Sequence, residues 1–108
     1  MPETLSDLEM LALSALLHLG PEAYGVSIRH AILERTGRSV SIGSLYKAIH
    51  RLEKRGLVRT EVGEPTAVRG GRARKHVLME EVGRRALRDS MRALSQMLDG
   101  AALDSRGR

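Results

Sequence analysis

Apolar residues recur at helical spacing near the start of the chain and form two stripes. Ser6-Asp7-Leu8-Glu9 fits a capping box, which predicts a helix running to about Leu19 and ending at Gly20-Pro21. The stripe that one domain would bury consists of Leu8, Leu11, Ala12, Ala15, Leu16 and Leu19. The second stripe lies nearly opposite and consists of Met10, Leu13 and Leu17. Because a helix that is apolar on two sides has two partners, we expect the second stripe to meet another subunit.

Two further helices are predicted before the chain turns to strand-like patterns. "YGVSIRHAILER" predicts a helix from about Tyr24 to Arg35, ended by Gly37. "SIGSLYKAIHRLEKRGLV" predicts a third helix over 41–55, with Ser41 as its N-cap and Gly56 as its terminator. The expected core stripe of the third helix is Ile42, Leu45, Ile49 and Leu52. Its opposite face carries Ser44, Lys47, Arg51 and Lys54, so apolar and basic residues are sorted onto separate sides.

The second half of the chain predicts a hairpin and one long helix. "LVRTEV" and "ARKHVLM" alternate as strands do, and "GEPTAVRGGR" between them has the composition of a long basic loop. A final helix is predicted from about Glu80 to Leu98, with apolar residues over a wider arc than one packing seam requires.

This order of elements predicts a fold that is mainly α with a small β-hairpin. Three helices, a hairpin and a long helix are the arrangement of a winged helix-turn-helix domain followed by a C-terminal dimerisation helix. We expect the winged domain over residues 1–79, the dimerisation helix over 80–100 and a frayed tail over 101–108. The expected dimer interface is Met10, Leu13, Leu17, Leu87, Met91, Leu94 and Leu98.

Composition and charge narrow the class of partner. The chain has 108 residues, a net charge of +5 and no cysteine, which excludes disulfides and thiolate metal sites and favours a polyanionic partner. The N-terminus is acidic and lacks the features of a signal peptide, and the longest apolar run is too short to span a bilayer. We therefore expect a cytoplasmic protein that does not enter a membrane.

The third helix and the hairpin together suit double-stranded DNA. An α-helix fits the major groove if one stripe anchors it and polar side chains cover the other face. The recognition-helix residues expected to contact DNA are Ser41, Ser44, Tyr46, Lys47, Arg51 and Lys54. The expected hairpin contacts, in or along the minor groove, are Arg69, Arg72, Arg74 and Lys75. A homodimer of such subunits would bind a roughly palindromic operator.

These residues resemble the PadR-like family of transcriptional regulators from about Leu8 to Leu98. The most specific stretch is "GSLYKAIHRLEKRGLV", and the Tyr24-Gly25 pair of "LEMLALSALLHLGPEAYGVSIRHAI" also matches. A short chain with one C-terminal helix is similar to the family's smaller subgroup, whose members are homodimers. The resemblance implies a repressor of nearby genes, often genes for transport or stress.

Two other functions are compatible with the sequence. In the first, a small-molecule effector binds in the dimer cleft and changes the spacing of the two recognition helices. In the second, less favoured, the basic face docks an acidic protein. The four histidines show no ligand-like spacing, and we find no paired nucleophile and base, so we expect no cofactor, no metal and no enzymatic activity.

Overall fold

A computed structural model describes residues 4–63 and 74–103. The helices and strands follow the predicted order: α1 (Asp7–Leu19), α2 (Gly25–Thr36), α3 (Ile42–Lys54), β1 (Val58–Val62), β2 (Lys75–Met79) and α4 (Glu81–Leu98). A 3-10 turn, Gly20–Glu22, joins α1 to α2. Most of the basic loop between the strands and the last residues of the expected tail lie outside the described residues. In the part of the chain that is described, no helix is both long and apolar enough to cross a bilayer.

Local signals set the ends of the first two helices. The capping box of α1 is present, because Ser6 Oγ accepts from the Glu9 backbone N–H at 3.1 Å and Glu9 Oε1 accepts from the Ser6 N–H at 2.7 Å. Helix α2 begins one residue later than predicted, with Tyr24 as its N-cap. It ends at Gly37, whose φ of 75° is the left-handed conformation that glycine adopts without strain.

The core lies between α1, α2 and α3 and is closed by the hairpin. The largest side chains with almost no exposure come from the three helices and from β1. They are Leu13, Ile28, Leu45, Leu52 and Val58. The buried stripe of α3 is Leu45, Ala48, Ile49 and Leu52. The prediction that Ile42 belongs to this stripe is wrong, since Ile42 is 37% exposed. As the first residue of the helix it lies on the apolar side but at the edge of the packed region, and Ala48 fills the stripe instead.

The hairpin is attached to the helical part through its second strand. β1 and β2 are antiparallel, with Val58 opposite Met79 and Val62 opposite Lys75. On its other side β2 contacts the segment before α2, where the Val77 N–H donates to the Ala23 carbonyl at 2.8 Å. Tyr24 also forms a bridge with His76. The base of the hairpin is therefore held by the entry to α2.

Helix α4 is anchored at its start and exposed at its end. The Glu80 N–H donates to the Leu57 carbonyl at 3.0 Å, and Gly83 lies so close to Leu57 that an added Cβ would be 2.1 Å from that carbonyl oxygen. Gly83 and Leu87 are buried, whereas every residue of α4 from Met91 to Leu98 is exposed. The wide apolar arc predicted for this helix is thus only partly covered by its own chain.

We predict that Gly83→Ala destabilises the fold by about 1–3 kcal/mol, because the added methyl forces the start of α4 away from Leu57. Thermal or denaturant unfolding followed by circular dichroism measures this. Gly43→Ala is the matched control: it also lies in a helix and has no neighbour within 4 Å of the added Cβ, so we expect it to gain about 0.5–1 kcal/mol. Equal stability of Gly83→Ala and the wild type would contradict the close packing of α4 on Leu57.

Candidate nucleic-acid interface

The polar face of α3 is open to solvent along its length. Ser41, Ser44, Lys47, Arg51 and Lys54 are all exposed, opposite the buried stripe that fixes the helix to the core. Tyr46 is about half exposed, at 51%. All six predicted recognition-helix residues are therefore accessible from solvent, with Tyr46 on the flank of α3 that rests against the start of α2.

Hydrogen bonds hold the two serines at the start of α3. Ser41 caps the helix, its Oγ accepting from the Ser44 N–H at 3.1 Å, and its hydroxyl donates to Ser44 Oγ at 2.9 Å. Lys47, one turn farther along, forms no ion pair with any described residue. Its ammonium group carries three donors and is open to an incoming anion.

Arg51 has a second role that the sequence pattern does not reveal. Its Nε donates to Glu9 Oε2 at 3.1 Å, and Arg55 Nη1 lies 3.5 Å from Glu9 Oε1. Glu9 is 3% exposed, and among the residues that the structure describes it is the only charged one that is buried. The two arginines thus neutralise a carboxylate that would otherwise be buried at a large cost in free energy.

The pKa of Glu9 reflects this environment. Burial alone acts to raise the pKa, but the Ser6 N–H and the Arg51 guanidinium that bind the carboxylate, with Arg55 beside them, outweigh burial. The pKa therefore lies below its ordinary value of 4.5, and Glu9 is ionised near neutral pH.

The position of the Tyr46 ring accounts for the glycine that follows Tyr24. A Cβ added to Gly25 would lie 2.5 Å from Tyr46 Cε1 and 2.5 Å from its hydroxyl oxygen. The tyrosine ring therefore rests directly on the first residue of α2, where only glycine leaves room. This contact sets the position of α3 relative to the start of α2.

The base of the hairpin lies next to α3. The Arg74 guanidinium carbon is 4.4 Å from the centre of the Tyr24 ring, a cation–π contact. Lys75 is exposed, and it lines a hollow of about 200 Å³ together with Tyr46 and His50 of α3. Arg69 and Arg72 lie outside the described residues, so their predicted contacts stay a prediction.

A hydrogen bond also ties α3 to β1: Glu53 Oε2 accepts from the Thr60 hydroxyl at 2.7 Å. Among the described residues, no three or more His, Asp or Glu side chains are grouped as a metal site requires.

We predict that acid weakens the wild-type fold partly through Glu9. A carboxylate whose folded pKa is depressed contributes stability above its ordinary pKa and loses it as pH falls through the folded pKa. Between about pH 5 and pH 2, the free energy of unfolding should fall more steeply for the wild type than for Glu9→Gln.

Denaturant titrations at several pH values measure this slope. Glu34→Gln, which removes an exposed carboxylate on α2, is the control and should follow the wild type. Identical slopes for the wild type and Glu9→Gln would show that the buried ion pair makes no contribution.

Comparisons with known proteins agree with this geometry. Residues 14–89 match the family described as "Transcriptional regulator PadR-like family". The transcriptional regulator Rv3488 of Mycobacterium tuberculosis is 43% identical over 65 residues, which are 60% of this chain and 57% of that protein. The match thus spans less than two thirds of the length of that relative. The proteins matched are regulators, in agreement with the expectation that the chain is not an enzyme.

Solved structures identify the fold. The PadR family transcriptional regulator of Eggerthella lenta is 30% identical, with a TM-score of 0.71 over 86% of this chain and 76% of that one. F93 from STIV, a winged-helix DNA-binding protein, is 21% identical with a TM-score of 0.66 over 82% of this chain and 88% of that one. The predicted fold class, mainly α with a small β-hairpin, is confirmed. With the family match covering residues 14–89 and a solved relative at 30% identity, the chain belongs to the PadR-like family of transcriptional regulators.

Proposed function

We propose that this chain is a homodimeric regulator that binds double-stranded DNA in a sequence-specific manner and represses nearby genes. The observation that carries the proposal is the division of α3 into two faces. One face is buried in the core, and the other presents Ser44, Lys47, Arg51 and Lys54 to solvent. A helix of this kind can enter the major groove while remaining fixed to its domain.

Different residues of α3 have different roles in this proposal. Ser41, Ser44 and Lys47 lie near its N-terminal end, which approaches base edges and adjacent phosphates. Arg51 and Lys54 lie farther along and suit backbone phosphates. Tyr46, on the flank of α3 near Lys75, adds a hydroxyl, and Arg74 and Lys75 add basic groups on the hairpin.

The exposed end of α4 supports the homodimer. Met91, Leu94 and Leu98 are 48%, 47% and 40% exposed, and Leu17 of α1 is 49% exposed. Leu13 and Leu87 were also expected at the interface, but they are 0% and 5% exposed because their own chain buries them. The proposed seam therefore consists of the exposed members of the predicted set, with the half-buried Met10 beside them.

A two-fold dimer defines the kind of DNA site. Each α3 would occupy one half-site, so the operator would be roughly palindromic, with half-sites one or two helical turns apart at about 34 Å per turn. Repression of nearby transport or stress genes, in the cytoplasm, is what membership of this family suggests.

A ligand-gated regulator is the second candidate, and one groove favours it. Met10 and Leu5 face Ala86, Ala93 and Leu94 of α4 across a space of about 400 Å³. A small molecule bound there would alter the angle of α4 and hence the separation of the two recognition helices. Such an effector would raise the melting temperature and shift DNA affinity together, which an ungated repressor would not show.

We predict that Lys47→Ala weakens DNA binding about tenfold near 0.1 M salt, since it removes a donor and a charge from the groove-facing surface. Fluorescence anisotropy against the DNA upstream of its gene and against a scrambled duplex, over several salt concentrations, measures the effect. Arg92→Ala removes the same charge from the exposed side of α4 and should bind almost as the wild type does. If both variants bind as tightly as the wild type, α3 does not enter the groove.

We predict that Leu94→Asp yields a folded monomer. Leu94 is 47% exposed in the single chain, so the carboxylate stays hydrated there, but a dimer would have to bury it. Sedimentation velocity measures the change, and Gln96→Asp adds the same charge at another exposed position of α4 as a control. A Leu94→Asp protein that still sediments as a dimer would place the seam elsewhere.

A further inference from the structure

The buried carboxylate of Glu9 lies beneath the basic face of α3. A groove of about 490 Å³ opens above it and is lined by Thr4, Ser6, Glu9, Arg51, Lys54 and Arg55. Three of these residues are cationic, and the Arg51 side chain is half exposed, at 50%, while that of Glu9 is 4% exposed. An anion approaching from solvent would therefore meet the arginine before the glutamate.

The way in which Glu9 holds Arg51 determines where the remaining donors point. The contact runs through Nε, on one edge of a planar and rigid guanidinium group with five N–H donors. Because Nε lies in the guanidinium plane, this contact restricts the orientation of the plane, so the donors on the exposed edge point within a narrower range than those of a free side chain.

The capping box accounts for an oxygen at position 9 but not for a charge, because glutamine fills the same role at that position. Replacing a buried ion pair by uncharged side chains is often neutral or stabilising. A carboxylate below a basic surface also weakens the attraction of that surface for a polyanion. Both effects favour an uncharged residue at position 9, unless the orientation of Arg51 has a use of its own.

We propose that Glu9 is a positioning residue for DNA binding: it stays off the duplex and holds Arg51 so that the outer N–H groups of the guanidinium bind a backbone phosphate in this groove. The inference rests on the proposed DNA binding by α3. Arg55 shares the carboxylate and keeps it neutralised while Arg51 engages the phosphate. A bidentate or side-on arginine contact of this kind is stronger than that of a freely rotating cation.

Glu9→Gln provides a test in which two explanations predict opposite changes in DNA affinity. The variant gains one positive charge, so simple attraction predicts tighter binding to DNA. Positioning predicts binding that is weaker by about tenfold, the loss expected for one charge-assisted hydrogen bond. It also predicts a salt dependence that is shallower by about 0.9 per subunit. Glu34→Gln, with the same change of charge at an exposed site on α2, should bind as tightly as the wild type or slightly tighter.

A double substitution shows whether Glu9 acts through Arg51. In an Arg51→Ala background, Glu9→Gln should cause almost no further loss of DNA affinity, because the group it positions is gone. Affinity is measured by anisotropy with the full chain, well below the melting temperature of each variant. A loss of the same size in both backgrounds, or an affinity of Glu9→Gln equal to or above that of the wild type, overturns the positioning role.

A second variant decides the question if Glu9→Gln does not fold. Arg51→Lys keeps the charge but has no Nε–H for Glu9 to hold. The inference predicts that it loses most of the affinity lost by Arg51→Ala, and wild-type affinity overturns it. Failure of the proposed function is distinct: there the wild-type protein itself binds duplex DNA weakly and without a steep salt dependence.

Discussion

The structure depends on a single helix that must be buried on one side and accessible on the other. In α3 the four residues Leu45, Ala48, Ile49 and Leu52 are packed against α1 and α2, and each large apolar side chain contributes about 1.5–3 kcal/mol by leaving water. Apart from Arg51, which contacts Glu9, the residues of the opposite face stay hydrated and gain little from folding. Those positions can therefore carry the side chains that a partner requires, while the buried stripe keeps the helix in place.

Electrostatics joins these two faces. Glu9 of α1 lies 42 residues from Arg51 along the chain, yet their contact joins the inner helix to the outer surface of α3. The carboxylate also caps its own helix through Ser6, so one side chain serves the start of α1 and the end of α3. The position of a surface cation is in this way set by a group inside the protein. A substitution of Arg51 that changes the surface charge therefore also changes the surroundings of the buried Glu9 carboxylate.

The helices and strands, which depend on neighbouring residues, could be predicted well from the sequence. Contacts between residues far apart in the chain could not. Ser6, Gly37 and Ser41 act on neighbouring backbone groups, so their effects can be inferred from adjacent residues. Periodicity placed Ile42 on the correct face of α3 but says nothing about depth, and that residue is at the edge of the core. The Arg51–Glu9 pair and the hydrogen bond from Thr60 to Glu53 depend on which elements meet in space. No spacing rule within one helix could reveal them.

The Tyr24–Gly25 pair has a consequence for the shape of DNA that the protein can accept. Tyr24 bridges to β2 and stacks under Arg74, and the next residue lies against the ring of Tyr46 on α3. The base of the hairpin and α3 are thus both held by two successive residues, which restricts the distance between them. In the DNA complex proposed above, the duplex would have to supply a matching distance between its grooves. The protein would then select among DNA sequences partly by the free energy that the duplex needs to adopt that distance. This selection would include base pairs that no side chain contacts.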